Sequence, residues 1–235
     1  NANMLPISDN NVGRIRTPFV NYILIAINIF VFIYYQQLGS NDAFLLSFST
    51  VPHEILTGAD VIYEAGLGKT PIPVHLTLLT SMFMHGGIAH LAGNMLYLWI
   101  FGDNLENVMG HKKYFFFYLL TGLIASLSHV FLASIMGKDL LVPSLGASGA
   151  ISGVLGGYLI LFPKNEVRVL VIAFFMRVPA FITLGLWIAL QLFSGWGSLS
   201  GAGDGIAYAA HIGGFFAGML LVKFFVSAKA VPKMR

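Results

Sequence analysis

The chain has no cysteine among its 235 residues. That excludes a disulfide framework and any cysteine-based metal site. Charge is almost as scarce: Asp and Glu number 10, Lys and Arg 13, and the formal net charge is only +3. No internal repeat, low-complexity tract or separate soluble domain stands out. The N-terminus has no short apolar stretch followed by a cleavage site, so no removable signal peptide is expected. What is abundant is apolar. Hydrophobic residues make up 57% of the chain, and the mean hydropathy is +0.79. A soluble domain of this size cannot hide that much apolar surface, so the composition points to an integral membrane protein.

A spanning helix needs about 20 mostly apolar residues. Six segments are candidates: 18–35, 88–108, 114–136, 148–162, 167–193 and 205–226. The expected fold is therefore an all-α integral membrane protein, a bundle of six transmembrane helices over 18–227. Residues 1–17 and 228–235 would be cytoplasmic tails. The longest connection, 36–87, carries "VPHEILTGAD" and "TPIPVHLTLLTSMFMH", which predict partial helices at the interface. Lys and Arg set the orientation. Arg14, Arg16, Lys112, Lys113, Lys164, Arg168, Arg177, Lys223, Lys229, Lys233 and Arg235 share one side of a six-span topology. Only Lys69 and Lys138 fall on the other. Both termini are then cytoplasmic, and the loop with Asp42, Glu54, Asp60 and Glu64 faces outward. A bacterial plasma membrane is the expected location.

In that topology the second, fourth and sixth spans all begin near the outer leaflet. The second opens with His85, His90 and Asn94, the fourth with Ser148, and the sixth holds His211 about two turns in. Polar groups in hydrocarbon are costly and face the bundle interior or a wet cavity. His90 and Asn94, spaced i, i+4, share a helix face. Ser148, Ser152 and Gly156 form one small-residue stripe, with Gly149, Gly153 and Gly157 beside it, and His211, Gly214 and Gly218 form another. Such stripes let helices approach closely in lipid, bringing His211 within reach of Ser148. The fourth span, 148–162, is too short to cross the bilayer core. "LVPSLGA" must therefore descend into the protein, where irregular backbone is tolerated only inside protein or beside water. A water-accessible cavity ending at Ser148 is the simplest outcome.

Serine becomes a nucleophile when a base takes its proton, and histidine is the usual base. A developing oxyanion needs donors, which helix N-termini, Asn and His supply. No acidic residue lies in the outer half of the relevant spans, and Asp204 is peripheral, so the pattern suggests a Ser–His dyad. Each residue also has a plainer role: Ser148 as packing among small residues, His85 as an interfacial side chain, His90 and Asn94 as interhelical hydrogen-bonding groups. Glu106 and Lys112–Lys113 read as a cytoplasmic connection, with Glu106 tying it to a helix end. Three histidines could instead hold a metal, or serve a transporter. No carboxylate nearby supports a metal, and no paired acids within the spans support ion coupling.

Together these residues make the sequence resemble the rhomboid family of intramembrane serine proteases, over nearly the whole chain. The G-x-S-G motif matches Gly146, Ala147, Ser148 and Gly149. The A-H-x-x-G context matches Ala210, His211 and Gly214. The H-x-x-x-x-H-x-x-x-N signature matches His85, His90 and Asn94. The resemblance implies Ser148 as nucleophile and His211 as general base and then acid. It implies an oxyanion hole from the Ser148 N–H, His90 and Asn94, with His85, Gly146 and Gly149 as support. The implied substrate is a transmembrane segment of another protein in the lipid bilayer. No cofactor, metal or nucleic acid is implied. An inactive rhomboid-like protein that binds transmembrane clients is the alternative. Some members carry Trp-Arg in the first loop, where Leu76 and Thr77 stand here. Some place Tyr against the catalytic His, where Ser152 stands, so His211 needs another support. Tyr158, on the same helix, is too deep to give it.

Overall fold

The computed structural model describes residues 4–11, 13–61, 69–199 and 205–226, with the side chains of Met4, 197–199 and 205–207 left aside. Glu64, Asp204 and the 228–235 tail lie outside the described residues. The chain is mostly helical. Strand β1 (Met4–Asp9) precedes α1 (Phe19–Phe30), which continues as a π-helical turn over Val31–Tyr35. The long connection folds as expected into short pieces: α2 (Asp42–Phe48), α3 (Pro52–Thr57) and α4 (Thr77–Thr80), with single 3₁₀ turns around α4. Helices α5 (Ile88–Met109) and α6 (His111–Met136) meet at Gly110, whose φ of +78° allows the sharp junction. Then come α7 (Ser148–Leu161), β2 (Glu166–Val171), β3 (Phe174–Pro179), α8 (Ala180–Leu199) and α9 (Gly205–Phe225). Helix α6 and residues Tyr208–Phe225 of α9 are long and apolar enough to cross a membrane; α1, α7 and α8 are shorter apolar helices.

Two expectations need correction. The fold is not all-α, because β1, β2 and β3 form an antiparallel three-stranded sheet. The helix expected over 167–193 begins only at Ala180. The preceding segment, rich in Val, Phe and other apolar residues, folds as a hairpin instead. An apolar run alone does not distinguish a buried strand from a helix. Here charge and β-branching decide. Val167, Val169 and Val178 are buried on one face, while Arg168 pairs across the strands with Arg177 on the other. Arg177 lies 3.6 Å from Glu166 at the surface, outside any span.

Helix α7 is the hub, with eleven of its 14 residues buried. Its glycines let α9 approach backbone to backbone. A Cβ built on Gly218 would lie 1.9 Å from the Gly153 carbonyl oxygen, one on Gly214 2.2 Å from that of Gly149, and one on Gly156 2.0 Å from that of Phe215. The same stripe meets α6, where Gly153 leaves room for Thr121 and Gly149 for Ala125. Lipid offers no hydrophobic force to press helices together, so packing contacts of this kind hold the bundle.

At the end of α7 remote from Ser148, the run Gly102–Asn107 ties the N-terminal segment down. The Glu106 carboxylate accepts from the Val20 and Asn21 N–H groups at 2.9 and 2.7 Å, capping the start of α1. It also meets His111 Nδ1 at 2.5 Å. Glu106 thus does tie this region to a helix end. Asn107 accepts from the Ile15 and Arg16 N–H groups, and Arg14 pairs with Asp103 at 3.1 Å. Asp9 accepts from Tyr158 OH at 2.5 Å and from Asn104 Nδ2 at 2.6 Å.

Candidate active site

Ser148 is the first residue of α7 and follows Gly146, whose φ is +115°. A side chain at 146 would be strained, and its Cβ would lie 3.0 Å from the His90 ring. The descending segment is held by a backbone pair between Thr50 and Ser144, at 2.9 and 2.7 Å, and by the Gly146 N–H donating to Ser81 O at 2.8 Å. The irregular backbone expected there is thus satisfied inside the protein.

His211, on α9, reaches Ser148: its Nε2 lies 2.8 Å from Ser148 Oγ. Its Nδ1 lies 2.8 Å from Gln191 Oε1 on α8. The amide oxygen can only accept, so Nδ1 carries the proton. Nε2 is left with a lone pair for the serine hydroxyl. Trp187, one turn before Gln191, sets its ring 6.1 Å from the imidazole. Sequence reasoning missed both. It searched for an acid and found none, and a neutral amide in an apolar helix gave little signal. Ser152 gives no support, since its hydroxyl donates to the Ser148 carbonyl at 2.6 Å. Tyr158 is occupied by Asp9 at the far end of α7, too deep, as expected.

His90 is exposed at the cavity mouth. Its Nδ1 accepts from the Gly86 N–H at 3.3 Å, so Nε2 carries the proton beside Gly146. Asn94, one turn further along α5, is buried, and its Nδ2 has no hydrogen-bond partner among the described residues. His85 is buried behind His90, the two rings 5.2 Å apart and nearly perpendicular. Its backbone N–H and C=O both bond the Gln36 amide. Gly149 packs against Ala125 and Gly214. His90 and Asn94 on α5, Trp187 and Gln191 on α8, and Ser148 and His211 between them line a cavity of about 300 Å³, while His85 and Gly149 stand outside its lining. The site therefore has a hydroxyl poised against a histidine, a helix N-terminus, and an amide nitrogen without a partner among the described residues in one cavity.

Apolar helices of spanning length, with Ser148 against His211 between them, point to a membrane protein. The Rhomboid domain profile matches residues 74–228, and the chain belongs to the rhomboid family. It is 34% identical over 174 residues to "Rhomboid protein 1, mitochondrial" of Saccharomyces cerevisiae, covering 72% of this chain and 46% of that protein. It is 29% identical over 221 residues to "Rhomboid protease GluP" of Bacillus subtilis, covering 91% of this chain and 39% of that one. It is also 30% identical over 145 residues to the human "Presenilin-associated rhomboid-like protein, mitochondrial", covering 57% and 37%. The chain thus spans less than half the length of these curated relatives.

Proposed function

We propose that this protein is an intramembrane serine endopeptidase that cleaves transmembrane segments of other membrane proteins. The observation that carries this is the 2.8 Å contact between Ser148 Oγ and His211 Nε2 inside a cavity. His211 takes the hydroxyl proton as Oγ attacks the scissile carbonyl. The oxyanion forms against the Ser148 N–H at the start of α7, the Asn94 amide and His90. Collapse breaks the peptide C–N bond, His211 gives its proton to the leaving amine, and the acyl group stays on Ser148. Water, deprotonated by His211, then attacks the ester and returns Ser148 to its hydroxyl form. Gln191 holds the imidazole tautomer, and the catalytic pair is a dyad. The substrate segment enters from the bilayer and unwinds to present its scissile bond. A six-span domain over 18–227, its termini on one side, accommodates this, with the sheet end of the helices cytoplasmic. The match to the Bacillus protein over 91% of this chain is the support for a bacterial plasma membrane. The relatives named as mitochondrial favour a mitochondrial membrane as the second reading, and cell fractionation decides between them.

The test is labelling by a fluorophosphonate probe in detergent, followed by cleavage of a reconstituted transmembrane substrate. Wild type is expected to label and cleave, and Ser148→Ala and His211→Ala to do neither. Folded wild type that neither labels nor cleaves overturns the protease reading and leaves client binding in its place. So does a Ser148→Ala variant that still cleaves fully.

A further inference from the structure

The sheet leaves an apolar surface that the candidate site does not use. Val167, Val169 and Val178 are buried in one core with the helix-terminal residues Met109, Leu161 and Phe162. That face of the sheet is therefore turned toward the helix ends. Val169 pairs with Met176, and Val171 with Phe174. Cross-strand partners share a face, so Met176 and Phe174 face the same way. Yet Val169 is fully buried, whereas Met176 is 51% exposed and Phe174 72%. The hairpin thus runs out from beneath the helix ends with its helix-facing side uncovered.

The turn adds to this. Ile172 is 80% exposed and has a φ of +60°. Tight hairpin turns place Asn, Asp or Gly at such positions. Ile172 and Ala173 keep the tip apolar despite the unfavourable conformation of a β-branched residue. The other face carries charge near the helices, where Arg168 and Arg177 stand opposite each other beside Glu166, and exposed Phe175 nearer the tip. Strand β3 runs directly into α8, whose Phe181 and Ile182 are also exposed. Exposed apolar residues therefore stand both at the start of α8 and on the helix-facing side of the hairpin's outer half.

We propose that the β2–β3 hairpin is a bilayer anchor. Phe174, Met176 and Ile172 insert among the acyl chains of the leaflet at the sheet end of the helices. Arg168 and Arg177, on the opposite face, remain at the level of the phosphate headgroups. An apolar face buried to the headgroup–acyl boundary, with cations on its polar side, is the usual geometry of interfacial elements. The inference is independent of whether Ser148 is reactive.

The absence of cysteine makes the test direct. Phe174→Cys and, on the outer face of β1 opposite Arg168, Ser8→Cys are each made in the full chain. Each carries an environment-sensitive fluorophore and is reconstituted in phosphatidylcholine–phosphatidylglycerol vesicles. Quenching by lipid brominated on its acyl chains is compared with quenching by aqueous iodide. The 174 label is expected to be quenched by brominated lipid at least about threefold more than the 8 label, with the reverse order for iodide. Iodide quenching at 174 equal to that at 8 overturns the proposal. So does shielding of 174 from both quenchers with disulfide-linked dimers of the unlabelled variant, which assigns the surface to a second copy. Should Phe174→Cys fail to match wild type in circular dichroism and elution volume, Met176→Cys carries the same comparison.

Discussion

The close approach of α7 and α9 makes a single methyl group a severe perturbation. In Gly218→Ala the new Cβ would sit 1.9 Å from the Gly153 carbonyl oxygen, against a shortest real contact of 3.0 Å. The clash is with backbone on both sides, so no side chain can rotate away. The helices must part or shear by about 1.1 Å, and overpacking of this kind costs about 1–3 kcal/mol. His211 lies two turns before Gly218 on α9, and Ser148 lies on α7 just ahead of the contact. The same displacement therefore acts on their 2.8 Å contact. A misplacement of about 1 Å between reacting groups costs on the order of a hundredfold in rate. Gly185→Ala is the control: nothing lies within 4 Å of its Cβ, and alanine favours a helix interior by about 0.5–1 kcal/mol. The assay is fluorophosphonate labelling rate together with thermal unfolding in detergent. Gly218→Ala should unfold at lower temperature and label about a hundredfold more slowly, with Gly185→Ala equal to or more stable than wild type. Wild-type labelling and unfolding in Gly218→Ala would refute the claim that α7 and α9 touch through backbone.

Three further outcomes follow from the contacts described. Gln191→Leu, which keeps the volume and removes the acceptor, should lower kcat about tenfold with little change in KM, since a hydrogen bond to a charge developing on His211 is worth about 1.5 kcal/mol. Gln191→Glu, which still accepts from Nδ1–H, should restore most of the rate, and equal losses in both would count against tautomer control. Burial, reinforced by the nearby Asp103, raises the Asp9 carboxyl from 3.8 to about 7, against the opposing hydrogen bond from Tyr158. The folded state then holds a proton that the unfolded state releases, so stability falls as pH rises from about 4 to about 7. Unfolding temperature followed across that window should flatten in Asp9→Asn, and an unchanged slope would remove Asp9 from the account. Glu106→Gln replaces one of two capping oxygens with a donor facing N–H groups, and should cost about 1.5–3 kcal/mol by denaturant titration.

The grouping of the candidate residues was more legible in the sequence than the fold around them. Ser148, His211, His90 and Asn94 stood out because polar groups in apolar helices must have a reason, and the glycine stripes gave the close packing. The 141–147 descent followed from the shortness of α7. Gln191 was hidden because an uncharged amide at one turn of an apolar helix looks like any other interhelical contact. The hairpin was hidden for a different reason. Hydropathy scores Val, Ile and Phe alike in a strand and in a span, so residues 167–179 merged with α8. The departures in that run, Arg168 and Arg177, were two residues in a long apolar stretch, and pairing with β1, some 160 residues earlier, has no local signature.

The Glu106 cap bears on how the protein is assembled. The first helix has no acidic residue in its first turn and no side-chain cap of its own. The carboxylate that satisfies its leading N–H groups stands 85 and 86 positions later in the chain. During synthesis α1 is therefore complete long before its start can be closed, and those N–H groups depend on water until α5 arrives. Docking of α1 against α5 is thus marked by a buried hydrogen-bonded latch rather than by apolar contact alone. His111, at the head of the next helix, meets the same carboxylate, so the start of α6 joins the junction as soon as α5 has closed it.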